Sequence, residues 1–326
     1  MGIPMTDQRD TAVSAVLLVG DLRARSADAL RSVLDQEGLE QAEVILVDAG
    51  LGRHEPLPGS EHPQVRTIQP PPDATFGGMR ARGVREARGR IVAFLEDHVV
   101  AKPGWLKAII QSFEGPWAAV GAEVENANPE VGLSPVIGLI NYGLWSPPMP
   151  RGEMDLLAGN NLAYRTEILL RYGADLDELL LCDTIQQWRI AEDGGKLFAE
   201  PAVAIRHSNP TRIGTCLQSE FLYHWCFAAM RARHFKWSAW RTLRYVVLSP
   251  AIPWLRFWRL IRLASRKPSE AANLNPATGI LALLLLHAAV LGQVFGLAFG
   301  PGGADRRFTH FELNVPRPGS SPGQGR

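Results

Sequence analysis

Cysteine is scarce in this sequence, with three residues among 326, namely Cys182, Cys216 and Cys226. Three thiols cannot build the disulfide framework of a small secreted domain, so we expect a reducing compartment. The first ten residues are polar and lack the apolar run of a signal peptide, and we therefore expect no export. The chain also lacks the low hydrophobicity and high net charge that mark disorder, since 46% of it is hydrophobic and its net charge is +1.

Acidic side chains are missing from one long stretch. Residues 231–267 contain ten Lys and Arg and no Asp or Glu, so the rest of the chain carries a net charge of −9. A basic stretch on an otherwise acidic protein predicts an anionic partner, either nucleic acid or membrane lipid. Within it, residues 254–263 place Trp254 and Trp258 on one helical face and arginines on the other, which is typical of a bilayer interface. Since no zinc-finger or RNA-recognition motif is present, we expect membrane lipid as a partner and no nucleic acid.

Charge of either sign is absent from residues 280–299. As a helix, this segment would be about 30 Å long and would span a bilayer, and a buried core helix is the alternative. Gly292, Gly296 and Gly300 are four residues apart, a spacing that permits close helix packing and hence a homodimer. Residues 300–326 are rich in Gly, Pro and Ser, so the sequence predicts a mobile tail there.

Short apolar runs alternate with helical patterns along the first 124 residues. This alternation predicts an α/β fold with a mostly parallel sheet flanked by helices. Residues 161–172 are also expected to form a helix. We divide the chain into an N-terminal tail (1–11), an α/β domain (12–215), a helical membrane-associated region (216–299, with an interfacial helix at 254–263 and an apolar helix at 280–299) and a mobile tail (300–326).

Two of the predicted strands end in acidic residues. Ligands of parallel sheets bind beyond the carboxyl ends of the strands. Here those ends carry Asp48 after EVILVD, and Glu96, Asp97 and His98 after IVAFL. Glu96 and His98 point the same way if the chain stays extended, and a carboxylate with an imidazole favours a divalent cation such as Mn²⁺ or Mg²⁺. A solvated loop is the alternative interpretation of this triplet.

Four segments occur in the order in which one known family carries them. They are SAVLLVGDLRARSADALRSVLDQ with AEVILVDAG, then GGMRARGVREARGRIVAFLEDH, then AGNNLAYRTEIL, and finally CDTIQQWRIAEDGGKLFAEPAVAIRH. Together they cover about residues 12–210 and resemble the family-2 glycosyltransferases. The resemblance implies the GT-A fold, a Rossmann-like sheet that is mostly parallel, here followed by the membrane-associated helices. The sequence departs from the family pattern at Gly83, where Asn is usual, at Cys182, where Glu is usual, and at the Glu-Asp-His triplet, which replaces an acidic metal motif.

The resemblance also implies the residues of the site. Asp183 is expected to be the base that deprotonates the acceptor hydroxyl, and single-step attack then inverts the anomeric centre. A divalent cation, Mn²⁺ or Mg²⁺, bound by Glu96, His98 and His207 would neutralise the leaving diphosphate. Contacts with the nucleotide or the donor sugar are expected from Asp48, Arg82, Glu96, Asp97, Asn160, Asn161 and Arg189.

Several of these residues have plainer explanations. Asp183 would serve as the N-cap of a helix, and Arg189 would form a surface salt bridge. Asn160 and Asn161 would suit a turn, and His207 would be an ordinary buried histidine. Their surroundings in the folded chain distinguish these roles from the catalytic ones.

The implied partners are a nucleotide-sugar donor, UDP- or GDP-linked, and a lipid-linked or membrane-proximal glycan acceptor. We expect an enzyme of the inner or plasma membrane with a cytoplasmic catalytic domain, acting in lipid-linked glycan or cell-envelope polysaccharide synthesis. A non-catalytic membrane scaffold or sugar-nucleotide sensor is the alternative, favoured by the departures from the family pattern. A nucleotidyltransferase has less support, because GDLR at residues 20–23 stands where a glycine-rich phosphate loop would follow the first strand.

Overall fold

The computed structural model describes residues 11–121, 123–267 and 273–317 of the chain. The predicted N-terminal tail therefore lies outside the described residues except for Thr11. The strands are β1 (Val13–Val19), β2 (Ala42–Asp48), β3 (Val65–Ile68), β4 (Ile91–Leu95), β5 (Val99–Ala101), β6 (Ala119–Gly121), β7 (Val124–Asn126), β8 (Gly152–Met154), β9 (Leu162–Arg165), β10 (Leu197–Ala199) and β11 (Ile205–His207). The α-helices are α1 (Arg23–Leu34), α2 (Phe76–Glu86), α3 (Trp105–Ser112), α4 (Ser134–Tyr142), α5 (Thr166–Leu170), α6 (Leu176–Leu179), α7 (Asp183–Glu192), α8 (Ile213–His234), α9 (Ala239–Leu248), α10 (Ile252–Arg266), α11 (Pro276–Phe299) and α12 (Ala304–Asn314).

The central sheet has eight strands in the order β3-β2-β1-β4-β9-β6-β10-β8. The pairs β1–β2, β1–β4, β2–β3 and β6–β10 are parallel, whereas β9 and β8 run antiparallel to their neighbours. Every residue of β1, β2 and β4 is buried, as expected of strands that helices cover on both faces. The prediction of a mostly parallel sheet flanked by helices is therefore confirmed.

The helix expected over residues 161–172 is wrong in its first half. Leu162–Arg165 forms β9, and the helix Thr166–Leu170 follows it. β9 lies between β4 and β6 and pairs with both, so its apolar side chains are buried in the sheet. This tertiary pairing outweighs the local helical preference of the segment.

A three-stranded sheet in the order β5-β11-β7 brings distant segments to the carboxyl end of β4. β5 begins four residues after β4 ends. β11 pairs antiparallel with β5, and His207 lies opposite Val99, the residue that follows His98. This register places His207 beside the predicted metal-binding triplet.

The helical region is built around the long helices α8 and α11. α11 packs along α8, and its glycines permit a close approach of the two backbones. A Cβ on Gly292 would lie 2.2 Å from the carbonyl oxygen of Phe221, and one on Gly296 would lie 2.3 Å from that of Trp225. This glycine-lined face is therefore occupied within the chain. Gly292 and Gly296, through which a homodimer was predicted, therefore contact α8 of the same chain, and the homodimer itself stays a prediction.

Large apolar side chains are exposed on α9, α10 and α11. Among the described residues one helix, Pro276–Phe299, is long and apolar enough to cross a membrane, with a mean hydropathy of 2.2 and 44% of its most apolar window buried in the chain. Exposed arginines at positions 241, 244, 259, 262 and 266 flank these helices. We call the following exposed side chains the apolar surface: Trp240, Leu243, Val247, Leu248, Trp254, Leu255, Trp258, Ile261, Ile280, Leu284, Leu291 and Phe299.

The predicted mobile tail is wrong for residues 304–317. α12 packs on the α/β domain and buries Phe308, Phe311 and Leu313. The contact is close, since a Cβ on Gly20 would lie 2.4 Å from the carbonyl oxygen of Leu313. The Gly- and Pro-rich composition of the tail hides this helix, whose apolar side chains are buried against the domain. The remaining part of the predicted tail, 318–326, lies outside the described residues.

Candidate active site

Three side chains with metal-binding atoms meet at the carboxyl end of β4. Glu96 directly follows β4, His98 directly precedes β5, and His207 ends β11. Nε2 of His98 lies 3.0 Å from Oε2 of Glu96, and Nε2 of His207 lies 3.8 Å from the same oxygen. The three ligand atoms all lie within 4.8 Å of one another. The pairing of β11 with β5 thus brings together the three residues predicted to bind the cation, which we call the metal group.

Each imidazole of the metal group is oriented by a second contact. Nδ1 of His98 lies 3.0 Å from the Asp97 carboxylate, which can only accept, so Nδ1 carries the proton and donates it. Nδ1 of His207 lies 2.9 Å from Oδ1 of Asn209 and donates to it in the same way. Both rings then present the lone pair of Nε2 towards Glu96. Metal-binding histidines are typically oriented by a hydrogen bond of this kind.

The charge states of the metal group suit a cation. Burial lowers the pKa of His207 to about 4, so its ring is neutral at neutral pH. Burial alone would raise the pKa of Glu96, but its contacts with His207 and His98 outweigh burial and hold that pKa well below its ordinary value.

The spacing of the metal group gives a test of the fit. Nε2 of His98 has no hydrogen-bond partner within the described chain, and it faces Oε2 of Glu96 at 3.0 Å. An octahedral ion with bonds of about 2.1 Å has neighbouring ligand atoms about 3.0 Å apart. The spacing of this nitrogen and this oxygen therefore fits two neighbouring ligands of a divalent cation such as Mn²⁺ or Mg²⁺.

A buried arginine joins the metal group to the predicted base. Arg80 on α2 is 2% exposed and donates from Nη1 to Oδ1 of Asp183 at 2.8 Å and from Nη2 to Oε1 of Glu96 at 3.3 Å. Its guanidinium also lies over the rings of Phe76 and Phe94, 4.6 and 5.2 Å from their centroids. Burial raises the pKa of Asp183, and the ion pair with Arg80 opposes this shift. Asp183 is therefore held beside the metal group as a carboxylate that is more basic than an ordinary aspartate.

One cavity is lined by Glu96 and His207 of the metal group and by Asp183. Asp183 is the first residue of α7, whose N-cap is Cys182, so Asp183 is not the N-cap itself. Asn160 also lines the cavity at 4% exposure, and neither its Oδ1 nor its Nδ2 has a hydrogen-bond partner in the described chain. A buried amide without a partner costs free energy, so Asn160 is suited to bind a polar ligand such as a sugar hydroxyl. Further lining comes from α4 (Asn141, Tyr142), from α8 (Ser219, Tyr223) and from residues 304–317, which we call the C-terminal segment (Glu312, Arg317).

Two of the predicted donor contacts hold the site together instead of lining the cavity. Asp97 is 2% exposed, pairs with Arg25 at 3.0 Å and orients His98. Asn161 is 1% exposed, donates to the carbonyl oxygen of Val203 at 2.7 Å and accepts from an indole N–H at 3.1 Å. Asn160 and Asn161 are adjacent in a turn, in which the backbone N–H of Asn161 donates to the carbonyl oxygen of Ala158 at 3.2 Å. The turn directs Asn160 to the cavity and Asn161 to the core.

Two other predicted donor contacts lie away from the cavity. Arg82 is 44% exposed and pairs with Glu86 one helical turn later on α2. Arg189 is 48% exposed, lies 3.8 Å from Asp193 and lines a separate surface depression. The arginine of α2 that reaches the site is Arg80, because residues two apart on a helix point in different directions and only one of them faces inward. Arg189 therefore lies where a surface ion pair, the alternative to a donor contact, would place it.

Asp48 ends β2 as predicted, and its carboxylate is already paired. Arg23 donates to its two oxygens at 2.9 and 2.8 Å, and the backbone N–H of Gly50 donates to one of them at 2.8 Å. The next residue, Ala49, lines a surface depression together with Arg306 of α12. The role of Asp48 as a nucleotide contact stays a prediction.

The C-terminal segment forms one wall of the site, which the sequence did not predict. Arg25 on α1 donates to three carbonyl oxygens of residues 312–315 at 2.6 to 3.0 Å. Arg317 is 5% exposed and pairs with Glu312 at 2.6 Å. Oε2 of Glu312 in turn lies 3.8 Å from Nε2 of His98. The segment therefore brings an acidic and a basic side chain to the metal group.

The residues missed at the sequence level had weak signals. Arg80 is one of three arginines in the eleven residues of α2, so its residue type alone did not single it out. The available signal for α12 was the helical spacing of Phe308, Phe311 and Glu312, which places them on one face.

Residues 25–168 match the model of the family described as glycosyl transferase family 2. This segment includes Asp48, Arg80, the Glu96–His98 triplet and Asn160. Most of the α/β domain is therefore similar to glycosyltransferase family 2. Two curated relatives, the pre-mycofactocin glycosyltransferases of two strains of Mycobacterium tuberculosis, are 24% identical over 230 residues, which is 67% of this chain and 48% of each relative. This chain therefore spans about half the length of those relatives.

The fold of the chain also resembles a solved structure. The mannosyltransferase PcManGT from Pyrobaculum calidifontis, in complex with GDP-Man and Mn²⁺, has a TM-score of 0.51 with this chain at 15% identity, covering 86% of each chain. At that identity the likeness concerns the fold alone. The fold is GT-A, as the sequence predicted.

Proposed function

We propose that this chain transfers a sugar from a nucleotide-sugar donor, UDP- or GDP-linked, to an acceptor hydroxyl, with inversion at the anomeric carbon. The observation that carries the proposal is the single cavity lined by Glu96, His207 and Asp183, with His98 directly beside Glu96. The match of residues 25–168 to the family-2 model supports a nucleotide-sugar donor. The geometry supports two separate roles. The metal group would bind the cation that neutralises the leaving diphosphate, and Asp183 would accept the proton of the acceptor hydroxyl.

The donor side of the cavity collects groups suited to a charged ligand. Glu96, His98 and His207 would hold a divalent cation, which neutralises the charge that develops on a leaving diphosphate. Asn160 offers an unpaired carbonyl oxygen and an unpaired amide nitrogen to the sugar hydroxyls. Since these groups are nearly enclosed, water competes little with their contacts to the donor.

The acceptor side is served by Asp183. Arg80 holds Oδ1 of this carboxylate, and Oδ2 lies against Gly159, where a Cβ would come within 2.2 Å of it. The carboxylate is thus fixed in position, and burial raises its pKa, which strengthens it as a base. As the acceptor oxygen bonds to the anomeric carbon, the bond from that carbon to the diphosphate breaks, and the hydroxyl proton passes to Asp183. Attack from the face opposite the leaving diphosphate inverts the configuration.

The walls of the cavity connect it to the apolar surface. α4 and α8 contribute lining residues and also pack against the helices that carry the apolar surface. Ile137 of α4, Leu260 of α10 and Leu285 of α11 belong to one buried apolar cluster. Exposed tryptophans flanked by arginines are typical of helices that lie in an anionic bilayer interface. We therefore place the reaction at the cytoplasmic face of the inner or plasma membrane, with a lipid-linked or membrane-proximal glycan as acceptor.

Calorimetric titration of the detergent-purified chain with UDP, GDP and dTDP, with and without Mn²⁺, tests this proposal. We expect one nucleotide to bind, to require Mn²⁺, and to bind at least about tenfold more weakly to His98→Ala. His54→Ala is the matched control, because His54 is exposed and lies beside Asp21. If the wild type binds none of the nucleotides in either condition, the proposal fails and the non-catalytic scaffold is favoured.

A further inference from the structure

The C-terminal segment places a cation beside the metal group that the steps above do not use. Arg317 is 5% exposed and lines the cavity together with Glu96 and His207. Its Nη1 donates to the carbonyl oxygen of Ser208, the residue after His207, at 3.4 Å. Its Nε has no hydrogen-bond partner in the described chain. A buried guanidinium with an unused N–H is suited to an anion with several oxygens.

The other arginines enclosed at the site are committed to fixed partners. Arg80 bridges the predicted base and Glu96, and a turn of its guanidinium would leave two buried carboxylates without a cation. Arg25 pairs with Asp97 and with three backbone carbonyl oxygens of the C-terminal segment. Arg317 differs, because the carboxylate it pairs with, Glu312, lies five residues away on the same segment.

The position of Glu312 indicates where an anion fits. Its Oε2 lies 2.6 Å from Nη2 of Arg317 and 3.8 Å from Nε2 of His98. A carboxylate thus lies between the arginine and the metal group, within contact distance of both. Phosphate oxygens that bind a cation of the metal group would need this same space.

We propose that Arg317 binds the diphosphate of the nucleotide-sugar donor and exchanges its ion pair with Glu312 for contacts with phosphate oxygens. This inference rests on the proposed function and extends it, because it makes the segment beyond α11 part of the donor site. Arg317 would add a second positive charge beside the leaving diphosphate, next to the metal group. The charge that develops as the sugar leaves would then be shared between the cation and the guanidinium.

The test compares nucleotide affinity within a Glu312→Gln background, in which no buried carboxylate is left unpaired when Arg317 is replaced. UDP and GDP are titrated calorimetrically, at saturating Mn²⁺, into the wild type, E312Q, the double variant E312Q/R317Q, and R307Q. We expect E312Q to bind the preferred nucleotide at least as tightly as the wild type, and E312Q/R317Q to bind it at least about tenfold more weakly than E312Q. Arg307→Gln removes an exposed arginine of α12, the helix that carries Glu312, and should leave the affinity unchanged.

Two further measurements separate a binding role from a structural one. Mn²⁺ binding without nucleotide, followed by electron paramagnetic resonance, should persist in E312Q/R317Q, because neither residue belongs to the metal group. E312Q/R317K is the second variant, since lysine keeps the charge and much of the packing but lacks the planar fork. We expect E312Q/R317K to bind the nucleotide several-fold more weakly than E312Q. This comparison can be made even if E312Q/R317Q does not fold.

The outcomes distinguish this inference from the proposed function. Equal nucleotide affinity in E312Q, E312Q/R317Q and E312Q/R317K overturns the role of Arg317 and leaves the proposed function standing, provided that the wild type binds nucleotide with Mn²⁺. Failure of the wild type to bind any nucleotide overturns the proposed function and this inference with it.

Discussion

The α/β domain and the helical region depart from ordinary globular structure in opposite ways. In the α/β domain, charged and polar side chains are enclosed, with Arg80 and Asp97 at 2% and His98 at 3% exposure. In the helical region, Trp254 and Trp258 are 58% and 51% exposed. Enclosing charge and exposing large apolar side chains both cost free energy unless a partner compensates. The two departures agree with the two partners of the proposed function, a charged ligand in the cavity and a lipid surface on the outside.

In the proposed function, binding of the donor and binding of the membrane belong to different parts of one chain. They meet at α4 and α8, which line the cavity and pack against the apolar helices. Substitutions in one region should therefore leave the other activity intact.

The largest effect is expected from Asp183→Asn. The substitution removes the base but keeps the size of the side chain, so we expect the rate of sugar transfer to fall by about 10²–10⁴-fold. Nucleotide affinity and vesicle binding should stay near wild-type values, because the metal group and the apolar surface are untouched. Release of nucleoside diphosphate measures the rate, and calorimetry measures the affinity. Asp193→Asn is the control on the same helix, since Asp193 is 54% exposed. Transfer at the wild-type rate in Asp183→Asn would remove this residue from the role of base.

A smaller effect, confined to the other region, is expected from replacing Trp254 and Trp258 together with serine. Burial of one large apolar side chain contributes about 1.5–3 kcal/mol, so loss of both should weaken binding to anionic vesicles by at least about tenfold. Cosedimentation with vesicles of neutral and of anionic lipid measures the loss, and Mn²⁺-dependent nucleotide affinity should not change. Leu170→Ser, an exposed apolar position of the α/β domain at 47% exposure, is the control. Equal vesicle binding by the double variant and the wild type would contradict a membrane role for this surface.

The smallest effect concerns the packing of α11 on α8. Gly296→Ala would place a Cβ 2.3 Å from the carbonyl oxygen of Trp225, and we expect it to lower the free energy of unfolding by about 1–3 kcal/mol. Gly279→Ala on the same helix meets its nearest atom, on Phe257, at 3.4 Å, so it should be neutral or slightly stabilising. Denaturant unfolding of both variants in detergent gives the comparison. Equal stability of the two variants would mean that α11 does not pack on α8 through its glycines.

Much of the site was predictable from the sequence, because the end of a strand is visible as the end of an apolar run. Continuous apolar runs fix where β2 and β4 stop, so the sequence placed Asp48, Glu96 and His98 at the carboxyl edge of the sheet. His207 was predictable through the family resemblance, although its position beside His98 depends on the pairing of β11 with β5.

The other features of the site and of the helical region depend on tertiary packing, which the sequence pattern does not show. Arg80 and Arg82 are two residues apart on one helix, and only packing decides which of them faces the cavity. The glycines of α11 predicted a close helix contact but not its partner, which is α8 of the same chain. α12 was missed because its Gly- and Pro-rich flanks resemble a mobile tail. Its burial depends on packing against α2 and α8 and on hydrogen bonds from Arg25 of α1, all far away in the sequence.

A transfer assay distinguishes an enzyme from a non-catalytic scaffold. The wild-type chain, reconstituted in vesicles with extracted membrane lipids, is given Mn²⁺ and radiolabelled UDP- and GDP-sugars in turn. If the chain is a glycosyltransferase, label from one donor moves into a lipid- or glycan-bound product, and an equal amount of nucleoside diphosphate is released. Metal-dependent binding of a nucleotide without transfer from any of these donors would contradict the account and favour a sugar-nucleotide sensor.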